Sequence, residues 1–125
     1  MKLRIQENAL RLRLTQKEVA RLVDHGLVES AIRFPTGREL CYSVASLPFA
    51  EEVSVDYLDD SIFVVLPTPV VIKWAGSGQI SIAGPRNSSV DILVEKDFQC
   101  LHKPEDRDPD AYPNPLGAVR KRSAA

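Results

Sequence analysis

The chain is predicted to be an α+β domain, mostly β, built from two ββαββ units. These would form a small pseudo-twofold barrel or sheet of about eight strands with two helices. Three observations predict this. Adding 52 to the residue number lays residues 62–78 on residues 10–26 without a gap, so that Leu12 and Leu14 meet Val64 and Leu66, Val19 meets Val71, Leu22 meets Trp74 and Gly26 meets Gly78. A fixed internal period of this kind marks a repeated structural unit. Short runs alternating between apolar and polar residues give the period of half-buried strands. A helix-start signal also follows the second strand of each half, Thr15-Gln16-Lys17-Glu18 in one and Pro67-Thr68-Pro69 in the other.

Taken in order, Lys2–Gln6 and residues 10–14 read as a hairpin about Glu7-Asn8-Ala9, where Asn8 suits the left-handed backbone of a tight turn. Leu10, Leu12 and Leu14 take one face and Arg11 and Arg13 the other. Thr15 and Glu18 make a capping box, each side chain satisfying a backbone N–H at the helix start. Val19, Leu22 and Val23 share the apolar helix face, which Gly26 ends. Strands near residues 27–34 and 39–46 follow, joined by Pro35-Thr36-Gly37-Arg38. Leu47-Pro48-Phe49-Ala50 joins the halves.

The second half repeats the order, with strands at 53–58 and 61–66, a helix opened by prolines and ended around Gly76-Ser77-Gly78, and strands at 79–83 and 89–95. The register continues outward, with Val28 on Ile80, Ala31 on Ala83, and Leu40 and Tyr42 on Ile92 and Val94. Residues 1–102 are expected to form one domain of two repeats, about 1–47 and 53–99. Residues 103–125, rich in proline and aspartate, are expected to form an extended tail, disordered at its end.

Composition narrows the function. With 44% hydrophobic and 26% charged residues among 125, the chain has the balance of an ordinary globular domain. No apolar run approaches the roughly 20 residues of a membrane helix, the start lacks the continuous apolar core of a signal peptide, and two cysteines make no disulfide framework. A cytoplasmic protein with free thiols is expected. The net charge of −1 argues against a dedicated nucleic-acid binder. Residues 1–47 nevertheless carry eight basic and five acidic side chains, and residues 48–96 three and seven.

No phosphate-binding glycine loop, nucleophile elbow or metal-binding signature is present, so no catalytic residue, metal or cofactor is assigned. The candidate site is Arg4, Arg11 and Arg13, which should share one face of the opening hairpin and offer planar forks of donors to phosphate or carboxylate. A solvated outer face is the plainer reading. Their counterparts Phe63 and Val65 are apolar, and a patch there should be covered by the tail, a partner subunit in a homodimer, or a ligand. Cys100 and His102, with Asp97, could in principle ligate a metal, but a buried Cys100 and a surface His102 fit better. The carboxylates Glu105, Asp106, Asp108 and Asp110 lack the glycine of a calcium loop and read as solvated charge. Trp74, in the place of Leu22, is expected in the core.

Two resemblances add to this. The opening Met1-Lys2-Leu3-Arg4-Ile5, Leu10-Arg11-Leu12-Arg13-Leu14-Thr15, the run from Val94 through Cys100 to His102, and Tyr112-Pro113-Asn114-Pro115 together resemble a family of small bacterial proteins of unknown function, over nearly the whole length. That resemblance implies no activity. The strand-to-helix steps at residues 12–19 and 64–71 are similar to those of AbrB/MazE-type transcription regulators. These are dimers of short swapped-hairpin units, some of which bind DNA through arginines. The resemblance implies both units in one chain, although the second lacks the arginines. Three functions are therefore open: a non-enzymatic binding or interaction module, which is preferred; an AbrB-like regulator using Arg4, Arg11 and Arg13; or an enzyme or binder for a small phosphorylated ligand. The last requires Arg11 and Arg13 to point into a barrel, with Glu29 nearby.

Overall fold

A computed structural model describes residues 1–98. The expected tail at 103–125 and the Cys100/His102 pair lie outside the described residues. The element order is β1 (Lys2–Gln6), β2 (Ala9–Leu14), α1 (Gln16–His25), β3 (Leu27–Arg33), β4 (Glu39–Leu47), β5 (Ser54–Leu58), β6 (Ser61–Pro67), α2 (Thr68–Ala75), β7 (Ser81–Ala83) and β8 (Asp91–Lys96).

The eight strands do not close into one barrel, nor do they make one sheet. They form two four-stranded sheets, β1-β2-β8-β7 and β5-β6-β4-β3. Each helix carries the chain from one sheet to the other, so each sheet joins a hairpin from one half to a hairpin from the other. Within a sheet the two hairpins meet through a parallel pair, β2 with β8 and β4 with β6. Exchanging the halves sends one sheet onto the other. Closure would require the edges to pair, yet β7 is only three residues long and is followed by Gly84 and Pro85.

Both hairpins of the β1–β2 type use two-residue loops. In the second, Asp59 and Asp60 are both left-handed, at φ 51° and 59°, the mirror-image turn that matches strand twist. In the first, the left-handed residue is Glu7 at φ 51°, not Asn8 as expected. Asn8 instead ties the turn to the neighbouring loop: its side chain donates to the Ser89 carbonyl and its own carbonyl accepts from the Asp91 N–H.

One core fills the space between sheets and helices. Leu12, Leu14, Ile82 and Val94 enter from the first sheet, Val28, Val44, Val64 and Leu66 from the second, and Val19, Leu22, Val71 and Trp74 from the helices. Trp74 is fully buried and donates from Nε1 to the Ile80 carbonyl at 3.0 Å. The offset of 52 holds from β1 through the helix positions Leu22 and Trp74. It fails beyond them. Helix α1 ends at Gly26, left-handed at φ 78°, whereas α2 is two residues shorter and ends at Gly76 rather than Gly78. The longer loop that follows puts Ile82, 3% exposed, in the place of Val28, and leaves Ile80 57% exposed. Likewise Val28 pairs with Val44 and Ile82 with Val94, so Val44 and Tyr42 are the true counterparts of Val94 and Ile92.

The capping box forms as read. The Glu18 N–H donates to Thr15 Oγ1 at 3.3 Å and the Thr15 N–H to Glu18 Oε1 at 3.0 Å, while the N-terminal ammonium donates to Glu18 Oε2 at 2.5 Å. Burial raises the Glu18 pKa, but the ammonium and the hydrogen bonds of Thr15 outweigh it and hold the carboxyl below its ordinary value. Thr15→Ala should cost about 1 kcal/mol in urea unfolding. Glu18→Gln keeps the cap geometry and removes the charge. Because the folded-state pKa is lowered, the stability that Glu18 adds over Gln is present above the unfolded-state pKa. It should be lost as pH falls through the folded one. A difference between the two chains that does not shrink in acid would contradict this.

Candidate anion-binding site

Alternation along β1 and β2 decides which side chains leave the core. Leu12 and Leu14 are buried, so Arg11 and Arg13 point to the outer face of the first sheet. The antiparallel register puts Arg4 directly across from Arg11, and Lys2 across from Arg13. The structure therefore brings the three predicted arginines together. It does not point them into a barrel, and Glu29 lies on β3 in the other sheet. The arrangement that a barrel-enclosed site would need is absent.

Like charges directly opposed across a strand pair are destabilising, so the partners of these groups matter. Parallel pairing sets Glu95 of β8 beside Arg13 and Leu93 beside Arg11. Arg13 Nε donates to Glu95 Oε1 at 2.6 Å, and Arg11 Nε stands 3.7 Å from the same oxygen. Lys2 Nζ lies 3.0 Å from Asp97 Oδ2. Arg4 donates only to the neutral Gln6 side chain, at 3.3 Å, and has no carboxylate within ion-pair distance among the described residues. Opposed guanidinium groups are thus only partly neutralised.

Beside them is a cleft of about 330 Å³ walled by Arg4 and Arg11, by Leu93 of β8, and by Ala83, Pro85 and Arg86. Arg86 sits in the β7–β8 loop and is exposed. Sequence reading missed it because it is more than 70 residues from Arg11 and only the parallel β2–β8 pair brings that loop alongside. Three guanidinium groups around a partly apolar hollow can clasp one anion in charge-assisted hydrogen bonds. Asp91 also lines the cleft, so the charge there is not uniformly positive.

Phe63 and Val65 do not join this site. They lie on the outer face of the second sheet, where Phe63 is 42% exposed and its strand neighbour across β4 is Ser43. The outer face of the first sheet is mainly charged, whereas that of the second is mixed: Phe63 stands between Ser43 and Asp56, and Val65 between Ala45 and Ser54. Among the described residues no group of histidine, cysteine, aspartate or glutamate is placed to hold a metal ion. Among them, too, no helix is long and apolar enough to cross a membrane.

Comparison with known proteins gives one result. The model of a family of unknown function, DUF7009, matches residues 1–116. The chain belongs to this family. The whole-length resemblance noted in the sequence thus has its counterpart in DUF7009, which carries no assigned activity. No curated protein and no solved structure matches the chain. The similarity of its half-units to AbrB/MazE-type regulators is therefore not shown by any comparison, and for this DUF7009 member the site geometry alone must supply a functional reading.

Proposed function

We propose that this protein is a non-enzymatic binding module that takes a small phosphorylated ligand in the cleft between Arg4, Arg11 and Arg86. The observation that carries this is the direct opposition of Arg4 and Arg11 beside a cleft that both line, with no carboxylate within ion-pair distance of Arg4 among the described residues. A fold gains nothing from facing two guanidinium groups across a strand pair, whereas a bound phosphate turns their repulsion into shared attraction. The cleft lies at the lower end of the size range of small-molecule sites.

The exchange of hairpins between sheets favours a second reading, an AbrB-like regulator that lays the same face on DNA. The charge pattern weighs against it. Glu95, Asp97 and Asp91 are interleaved with the basic residues, and the whole chain carries a net charge of −1.

Calorimetric titration with pyrophosphate, and separately with a random DNA duplex at rising salt, tests both. Saturable pyrophosphate binding is expected. No heat at low salt with either probe would end the proposal. Tight duplex binding with a log–log salt slope near −0.9 per phosphate contact would replace it with the regulator reading.

A further inference from the structure

Between α1 and α2 runs a second hollow, larger and more apolar than the arginine cleft. It holds about 670 Å³, with Val19, Ala20 and Val23 of α1 on one side and Ile72 and Ala75 of α2 on the other. Its remaining wall includes Leu14 of β2, the last β8 residue Lys96, and Asp97 and Phe98 just after it. Val23, Ile72 and Phe98 are 46%, 58% and 61% exposed, three large apolar side chains gathered at one groove. Elsewhere the helices bury their apolar faces in the core, so this opening is a local exception.

We propose that the groove is the seat of the chain's own segment 99–116, with Cys100 and Leu101 entering between the helices. Three observations select this occupant over a foreign one. The described chain ends at Phe98, itself a wall of the groove, so the next residues start there. At no more than about 3.6 Å per residue, Cys100 and Leu101 can reach the middle of a groove a few helical turns long. The family match runs on to residue 116, so the family model spans the segment together with the residues that wall the groove.

Charge agrees with this assignment. The segment carries Glu105, Asp106, Asp108 and Asp110 against Lys103 and Arg107. On α1, Lys17 and Arg21 are exposed and stand one turn before the groove residues Ala20 and Asp24, and on α2 Lys73 stands one turn before Gly76. Lys96 lies in the wall itself, with Asp24 and Asp97 as the acidic exceptions. The groove edge is thus mainly basic where an acidic strap would cross it.

Cys100 is a native reporter of the docked state. In the full chain with Cys41→Ser, its labelling by a thiol reagent is expected to be slower by about tenfold or more than in the same chain unfolded in urea, since reagent must wait for local opening. Val23→Asp together with Ile72→Asp, both at exposed positions, should restore fast labelling while far-ultraviolet circular dichroism stays native. Lys17→Glu with Arg21→Glu should also speed it, and decides the matter if the aspartate pair does not fold. Labelling as fast as in urea overturns the proposal. So does protection unchanged by the charge-reversal pair and by the aspartate pair when it folds, and so does protection that rises with protein concentration, which would make a second copy the occupant.

Discussion

Replacing Trp74 with alanine should remove about 3–5 kcal/mol of stability, the range for deleting a large buried aromatic. Set against a typical total of about 5–15 kcal/mol for a domain, this would leave much of the population unfolded at modest urea. Two losses add. The indole is fully buried where both helices and both sheets meet, so its removal opens a cavity that several elements must collapse to fill. Its Nε1 also donates to the Ile80 carbonyl, which would lose that partner. Trp74→Phe should fall between, keeping most of the packing and losing the donor. Ile72→Ala, on the same helix but at the groove between the helices rather than in the core, should shift the urea midpoint much less. Equal effects of the tryptophan and isoleucine substitutions would contradict the core assignment.

Arg4→Ala should abolish most pyrophosphate binding without loss of stability. One charge-assisted hydrogen bond to a phosphate is worth about 1.5–3 kcal/mol, which converts to roughly ten- to a hundredfold in affinity. Among the described residues Arg4 bonds only to Gln6, and it faces Arg11, so its removal relieves repulsion by up to about 1 kcal/mol. Binding and stability are thus expected to move in opposite directions, a signature that a merely structural arginine does not give. Arg13→Ala supplies the contrast. It breaks the 2.6 Å contact with Glu95 and should lower stability while affecting binding less, because Arg13 does not line the cleft. Reversal of these two patterns would move the site to the Arg13 side of the face.

The elements themselves were legible in the residues. Alternation placed Arg4, Arg11 and Arg13 on one face, the Thr15–Glu18 box placed the first helix, and the offset of 52 placed Trp74 in the core. These are local signals, and side-chain period and capping chemistry survive without knowledge of the partner strand. What failed was non-local. Nothing in residues 9–14 says that β2 runs parallel to β8, so Arg86 could not be added to the site and two sheets could not be told from a barrel. The offset also misled where Gly76 ends the second helix early. Gly78 stands where Gly26 does in the first half, but the apolar position that enters the core moved from Ile80 to Ile82.

The exchange of hairpins between the sheets has a consequence for how the chain is made. Arg13 and Glu95, paired in the first sheet, are 82 residues apart. A ribosome must therefore release nearly all of the described chain before β2 can find β8, while the β1–β2 hairpin and its row of arginines wait with one edge open. Topologies dominated by such distant pairings fold slowly, and they leave unpaired strands exposed while they do. The first 47 residues hold two hairpins and a helix but not one complete sheet. Each half is the other's missing edge, so a break in the joint at residues 48–53 would turn one self-completing chain into two fragments that must meet in solution.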